Sequence, residues 1–220
     1  MVNKMKETKE KYKYGDRLFY YVVKPFILFL IYVLYPPKVK GLENIPKDGA
    51  IVLAGNHTKW LDPVLIYAVI KKRQVHFLAK QELFKGKTLF FVWAMGAIPV
   101  NRKIHDHGAL DNAIEGLKRG LTIGIFPEGT INRTDGVIMP FKIGAVKMAK
   151  EANVPIVPFT ITGEYNLFKG GAKIEFYKPI TVDNDLDKTN EELMNIVKDN
   201  LIKGGRLHGS KPKRNKKNKW

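Results

Sequence analysis

Residues 50–63, AIVLAGNHTKWLDP, hold an unbroken apolar run, a polar turn and a proline in immediate succession. Ala50–Ala54 has the length and composition of a buried strand. Pro63 suits the first turn of a helix and disfavours helical geometry at Asp62 before it, so a helix opens here. His57 and Asp62 stand five positions apart, about 140° of rotation on a regular helix, and meet only if a turn folds His57 back on the carboxylate. The segment therefore reads as strand, loop and helix, with a histidine and a carboxylate at the strand's carboxyl end.

The same alternation continues along the chain. Further β-rich runs lie at Val75–Ala79, Leu121–Phe126, Val154–Ile161 and Lys173–Tyr177, with helical patterns between them. Leu110, Ala113, Ile114 and Leu117 form one apolar face that stops at Gly120. Thr189 and Glu192 have the spacing of a capping box ahead of Leu193, Ile196, Val197 and Leu201, and Gly204 ends that run. Strands alternating with helices predict an α/β fold, a single domain with a largely parallel central sheet flanked by helices. Its functional loops are expected at the carboxyl ends of the strands. A chain of 220 residues accommodates one such domain with decorated ends.

The decorations differ in character. Leu18 to Tyr35, LFYYVVKPFILFLIYVLY, is the most apolar stretch, and Lys24-Pro25 divides it. A spanning helix needs about 20 apolar residues, and a lysine at mid-bilayer costs roughly 2.5–3.5 kcal/mol. One or two short helices in the membrane interface are favoured over a spanning helix or a buried core helix. No small-residue cleavage site follows, and Pro36-Pro37 comes instead, so a cleaved signal peptide is not expected. The division is then 1–37 membrane-docking segment, 38–204 globular domain and 205–220 basic mobile tail.

A net charge of +17 points to anionic partners, a membrane surface, an acidic protein or nucleic acid. From Lys203 onward the tail carries eight basic residues and no acid, while the remaining bases still outnumber the 21 acids. Such a run gains about 1 kcal/mol per Lys or Arg near an anionic bilayer. The absence of cysteine excludes disulfides, thiolate metal sites and thiol nucleophiles.

Three polar groups at strand ends carry candidate chemistry. His57 beside Asp62 suits general-base catalysis, in which imidazole takes a hydroxyl proton and the carboxylate fixes its tautomer. Phe126-Pro127-Glu128-Gly129-Thr130 presents a carboxylate, a free glycine and a hydroxyl to a polar headgroup. Gly96 to Arg102 ends in a guanidinium suited to a phosphate. Taken singly, each also reads as ordinary structure: a helix cap, a turn, a surface salt bridge. His76 reads as a structural histidine within a strand. His105 and His107 lack the further ligands a metal needs, so no metal is expected.

Together the groups resemble the ordered blocks of the glycerophospholipid acyltransferases. His57 with Asp62 is similar to the H-x-x-x-x-D motif, Gly96–Arg102 to the second block, Phe126–Thr130 to F-P-E-G-T and Val154–Pro158 to the fourth. The resemblance covers roughly Lys38 to Pro179, and the apolar N-terminus is similar to the docking helices of the PlsC-like lysophosphatidic acid acyltransferases. It implies that His57 is the general base on the sn-2 hydroxyl and Asp62 its orienting group. Arg102 would bind the phosphate, Glu128, Gly129 and Thr130 would hold the glycerol head, and Lys142 would add a second positive charge. Arginine is common directly after F-P-E-G-T, whereas Ile131 stands there in this chain. Arg133, two positions on, is the candidate replacement. The implied partners are lysophosphatidic acid, an acyl carrier protein or coenzyme A thioester, and the anionic membrane surface at the cytoplasmic face. No cofactor is required and no nucleic acid is expected, since a nucleic-acid binder would explain neither the apolar N-terminus nor the ordered blocks.

Overall fold

Seven strands form one sheet in the order β1-β7-β6-β2-β5-β3-β4, as seen in a computed structural model that describes residues 17–205 apart from 90–91, 93–94 and 101–106. The strands are β1 (Lys38–Lys40), β2 (Ile51–Gly55), β3 (Val75–Lys80), β4 (Ile98–Val100), β5 (Thr122–Ile125), β6 (Ile156–Thr162) and β7 (Lys173–Phe176). The helices are α1 (Arg17–Leu34), α2 (Asp62–Val69), α3 (His107–Lys118), α4 (Gly144–Ala152) and α5 (Leu186–Lys203). From β6 to β4 all neighbours are parallel; β7 runs antiparallel to β6, and β1 lies parallel to β7 at the edge. The largely parallel sheet matches the expectation from strand–helix alternation.

Every residue of β2 and of β6 is buried, as continuous apolar strands covered on both faces should be. One face packs Leu53, Phe77, Phe159 and Ile174 against α2 and α1. The other packs Val52, Ile123 and Ile156 against side chains of α3, α4 and α5. Gly55 at the end of β2 has no room for a side chain, because a Cβ there would lie 2.3 Å from the Phe159 carbonyl oxygen on β6. This close approach brings the loop after β2 tightly against its neighbour.

The N-terminal apolar segment, expected as one or two short helices, is continuous, and part of its surface belongs to the core. It is one helix of 18 residues that passes through Pro25, and Ile27 and Ile31 are buried in the core on one of its faces. The reason lies in α2, whose residues Val64 to Val69 are buried on every side. A helix apolar all round needs cover on both flanks, and α1 provides it. Lys24 is buried at the same contact, where its Nζ donates to the carbonyls of Ile70 (2.5 Å), Arg73 (3.3 Å) and Lys71 (3.4 Å) at the C-terminal end of α2. A cation there meets the negative end of the helix dipole. The outer face of α1 leaves Phe26, Phe29, Tyr32 and Val33 exposed. Among the described residues no helix is long and apolar enough to cross a membrane. Residues 1–16, and the tail from 206 on, lie outside the described residues.

A second difference concerns α5. The cap is Asp185, whose side chain accepts from the Lys188 N–H at 3.0 Å, and Thr189 lies within the first turns. The Thr189 hydroxyl donates back to the Asp185 carbonyl at 3.0 Å, a bond available only once the helix has already begun. The Thr189–Glu192 spacing therefore mimics a capping box four residues downstream of the real start.

Burial pushes the Lys24 ammonium down to about 8, with the three carbonyls offsetting part of that cost. Between that value and the ordinary 10.5, the unfolded chain binds a proton that the folded chain has released. Stability contributed by this site therefore rises with pH across that window. Denaturant titrations at a series of pH values should show wild type gaining on Lys24→Met from about pH 8 upward; parallel curves would mean that Lys24 is not desolvated.

Candidate functional site

The polar turn after β2 lies between two neighbours, because β2 is flanked by β5 and β6. The loops leaving the carboxyl ends of these three strands converge, and three buried polar side chains fasten them. Asn56 is fully buried and pairs reciprocally with Ile161 of β6: its Nδ2 donates to the carbonyl at 2.9 Å and its Oδ1 accepts the N–H at 2.8 Å. Glu128, also buried, accepts the N–H of His57 at 2.8 Å through one oxygen and the N–H of Met139 at 2.9 Å through the other. The His57 carbonyl in turn accepts the Asn132 N–H at 3.0 Å, so the β2 and β5 loops are laced together on both sides of His57.

Asp62 is the third. Its Oδ2 meets His57 Nδ1 at 2.9 Å and accepts the N–H groups of Thr58 (2.5 Å) and Lys59 (2.8 Å). Its Oδ1 accepts the hydroxyls of Thr58 at 3.0 Å and Tyr165 at 2.5 Å. The expected turn between His57 and Asp62 is present, and the helix opens at Asp62 itself, one residue before Pro63. Three backbone or hydroxyl donors within the turn reach back to the carboxylate that begins the helix, and this closes a loop too tight for regular helix.

A carboxylate accepts, so Nδ1 of His57 carries the proton and donates, which leaves the Nε2 lone pair as the ring's basic position. The imidazole stacks on Phe126 with centroids 4.1 Å apart and planes at 13°, and Phe126 stacks in turn on Phe77 at 5.2 Å. The ring therefore has both a fixed tautomer and a fixed plane. The His57 side chain is 15% exposed and that of Asp62 0%, so the imidazole is open to solvent and the carboxylate is not.

The other expected site residues are placed in different ways. Glu128 turns its carboxylate to main-chain N–H groups rather than outward. Gly129 holds a positive φ of 73°, and a Cβ there would lie 3.0 Å from Lys142 Nζ, so the exposed lysine passes directly over the F-P-E-G-T turn. Thr130 and Arg133 are exposed on the same loop. Arg102 lies outside the described residues, as do His105 and Asp106. His76 is buried in β3 and its Nδ1 donates to the Gly96 carbonyl at 2.8 Å; burial pushes its pKa down, and the bond to Gly96 opposes that shift. This bond ties the second block to the sheet. Among the described residues no cluster of three or more His, Asp or Glu side chains forms a metal site.

Tyr165 went unrecognised in the sequence. It lies in the loop after β6, 103 positions from Asp62, in a stretch without periodicity or motif. Only the fold brings it to the carboxylate.

The acyltransferase family model matches residues 36–162, which include the loops after β2 and β5 and stop at the end of β6. The 1-acyl-sn-glycerol-3-phosphate acyltransferase of Bacillus subtilis is 36% identical over 138 residues, covering 61% of this chain and 68% of the relative. The protein of the same name from Borreliella burgdorferi is 34% identical over 178 residues, covering 75% and 70%. Among solved structures, the 1-acyl-sn-glycerophosphate acyltransferase PlsC of Thermotoga maritima superposes with a TM-score of 0.66 at 27% identity, over 90% of this chain and 79% of that one.

Replacing Glu128 by Gln sets an amide NH2 against one of the two N–H donors it now accepts, which leaves a buried donor unsatisfied at a cost of about 1–3 kcal/mol. Urea denaturation should register that loss of stability in Glu128→Gln. A variant as stable as wild type would show that the carboxylate does not hold the two loops together.

Proposed function

Since the chain belongs to the acyltransferase family, we propose that it moves a fatty acyl chain from a thioester to the sn-2 hydroxyl of 1-acyl-sn-glycerol 3-phosphate, giving phosphatidic acid. The observation that carries this reading to individual residues is the 2.9 Å contact of His57 Nδ1 with a fully buried Asp62. In the proposed reaction the lysolipid hydroxyl attacks the thioester carbonyl as its proton passes to His57 Nε2. The tetrahedral oxyanion then collapses, the C–S bond breaks and the carrier thiol leaves, taking the proton back from the imidazolium. Asp62 compensates the transient positive charge on His57 and stays unprotonated throughout. No covalent acyl-enzyme is needed, because imidazole activates the acceptor directly.

The acceptor's phosphate requires cations beside the base. Lys142 over Gly129 is the best placed described candidate, and Arg133 and Arg102 are proposed to share the charge. Gly129 and Thr130 offer a backbone turn and a hydroxyl to the glycerol head. Glu128 serves the site from behind, by holding the His57 main chain. An acidic acyl carrier protein or the phosphates of coenzyme A would both be drawn to a chain of net charge +17.

Membrane docking follows from the acceptor, which resides in the bilayer. Phe26, Phe29, Tyr32 and Val33 on the outer face of α1 supply apolar surface for the interface, and the basic tail supplies attraction to anionic lipid. Segment 1–37 is accordingly the docking part, 38–204 the catalytic domain and 205–220 an electrostatic arm, at the cytoplasmic face of the membrane.

Acyl transfer from acyl carrier protein and coenzyme A thioesters to lysophosphatidic acid in detergent micelles tests the reading. His57→Ala should lose about 10²–10⁴-fold in kcat with its fold unchanged. Wild-type inactivity with both donors would refute the acceptor, and full activity in the variant would refute the base.

A further inference from the structure

Tyr165 occupies a position that the reaction as written does not use. Its hydroxyl donates to Asp62 Oδ1, on the opposite side of the carboxylate from His57. Its ring meets Tyr35, just past the end of α1, edge-on at 6.1 Å and 72°. The loop that carries it is fastened to the same end of α1: the Phe168 N–H donates to the Leu34 carbonyl at 2.7 Å. Gly170 abuts the Pro36 carbonyl so closely that a Cβ would lie 2.6 Å from its oxygen. The phenol is thus held from both sides, by the seat of the N-terminal helix and by the carboxylate. Burial first, and the Asp62 charge second, raise its pKa far above that of an ordinary tyrosine, so it is a donor at every working pH.

On the reading of His57 as base and Asp62 as its orienting group, we propose that Tyr165 is a positioning residue whose hydroxyl, by holding Asp62 Oδ1, sets the geometry and the charge that the carboxylate presents to His57. A hydrogen bond accepted by a carboxylate draws off part of its negative charge. With the phenol in place, Asp62 orients the imidazole without holding the imidazolium so firmly that it fails to return its proton to the leaving thiol. Without the phenol, Oδ1 keeps the Thr58 hydroxyl as its partner among the described residues, the carboxylate is freer to rotate, and more of its charge falls on Oδ2 beside His57. The imidazolium is then over-stabilised, and the free base required for attack appears only at higher pH.

Tyr165→Phe isolates the hydroxyl, since the ring retains its contact with Tyr35. The test follows kcat/KM against pH for the full chain in lysophosphatidic acid micelles, alongside His57→Ala and thermal unfolding of each variant. The expected result for Tyr165→Phe is a kcat about 10- to 100-fold lower, an unchanged KM for the lysolipid and an acid limb displaced to higher pH. Thr58→Val, which removes the other hydroxyl on Oδ1, should displace the limb in the same direction. A limb that stays in place in Tyr165→Phe, whether or not activity or melting temperature falls, overturns the proposal and leaves His57 as the base if His57→Ala is inactive. Full activity in His57→Ala would overturn the underlying reading instead.

Discussion

The Asp62 carboxylate is the interaction on which the rest of the site depends. An ionised carboxylate removed from water costs several kcal/mol unless its lone pairs are satisfied. Here two backbone N–H groups, an imidazole N–H and two hydroxyls satisfy it. These donors come from the turn after β2 and from the loop after β6, so the charge can be buried only when both are in place. The carboxylate thereby couples the geometry of the site to folding: a chain that has not brought Tyr165 and Thr58 to Asp62 also lacks an oriented His57. Asn56 and Glu128 extend this principle to the backbone through paired hydrogen bonds, Asn56 binding its loop to β6 and Glu128 binding the loops after β2 and β5 to each other. The site is organised before any substrate arrives, the condition under which fixed dipoles and bases are most effective.

The layer above the sheet joins this centre to the N-terminal helix. α2 begins at Asp62 and ends under Lys24 of α1, so a single short helix carries the carboxylate at one end and receives a buried cation from α1 at the other. The apolar segment at the N-terminus consequently has two jobs on two faces. Ile27 and Ile31 complete the core over α2, while Phe26 and Phe29 remain outside. A lysine at its centre looks like an obstacle to membrane burial when read along the chain. In the fold it is the hydrogen-bond donor at the end of α2.

Five of the seven strands, all but the three-residue β1 and β4, and the His57–Asp62 turn were readable in the sequence because each rests on local physics: apolar runs of strand length, a proline opening a helix, and a histidine five residues from a carboxylate. The F-P-E-G-T turn was equally visible, but the direction of Glu128 was not. Whether a carboxylate faces a ligand or its own main chain depends on where Met139 and His57 come to lie, 11 and 71 positions away. Tyr165 was invisible for the same reason at longer range. The cap of α5 was misplaced because Thr189 and Glu192 reproduce a local pattern, while the true start at Asp185 uses an acceptor that the pattern does not require. The core-facing side of the N-terminal helix was not legible because hydropathy along one segment does not disclose that a second buried helix requires cover.

The central claim is that Asp62 holds His57 in the tautomer whose Nε2 is free to take a proton. Nitrogen NMR of histidine-labelled protein, with the His57 signals assigned by comparison with His57→Gln, observes this directly. The account predicts a protonated Nδ1 and a pyridine-type Nε2 in the neutral ring. A proton residing on Nε2 of the neutral ring would contradict it, because that nitrogen could not then act as the base.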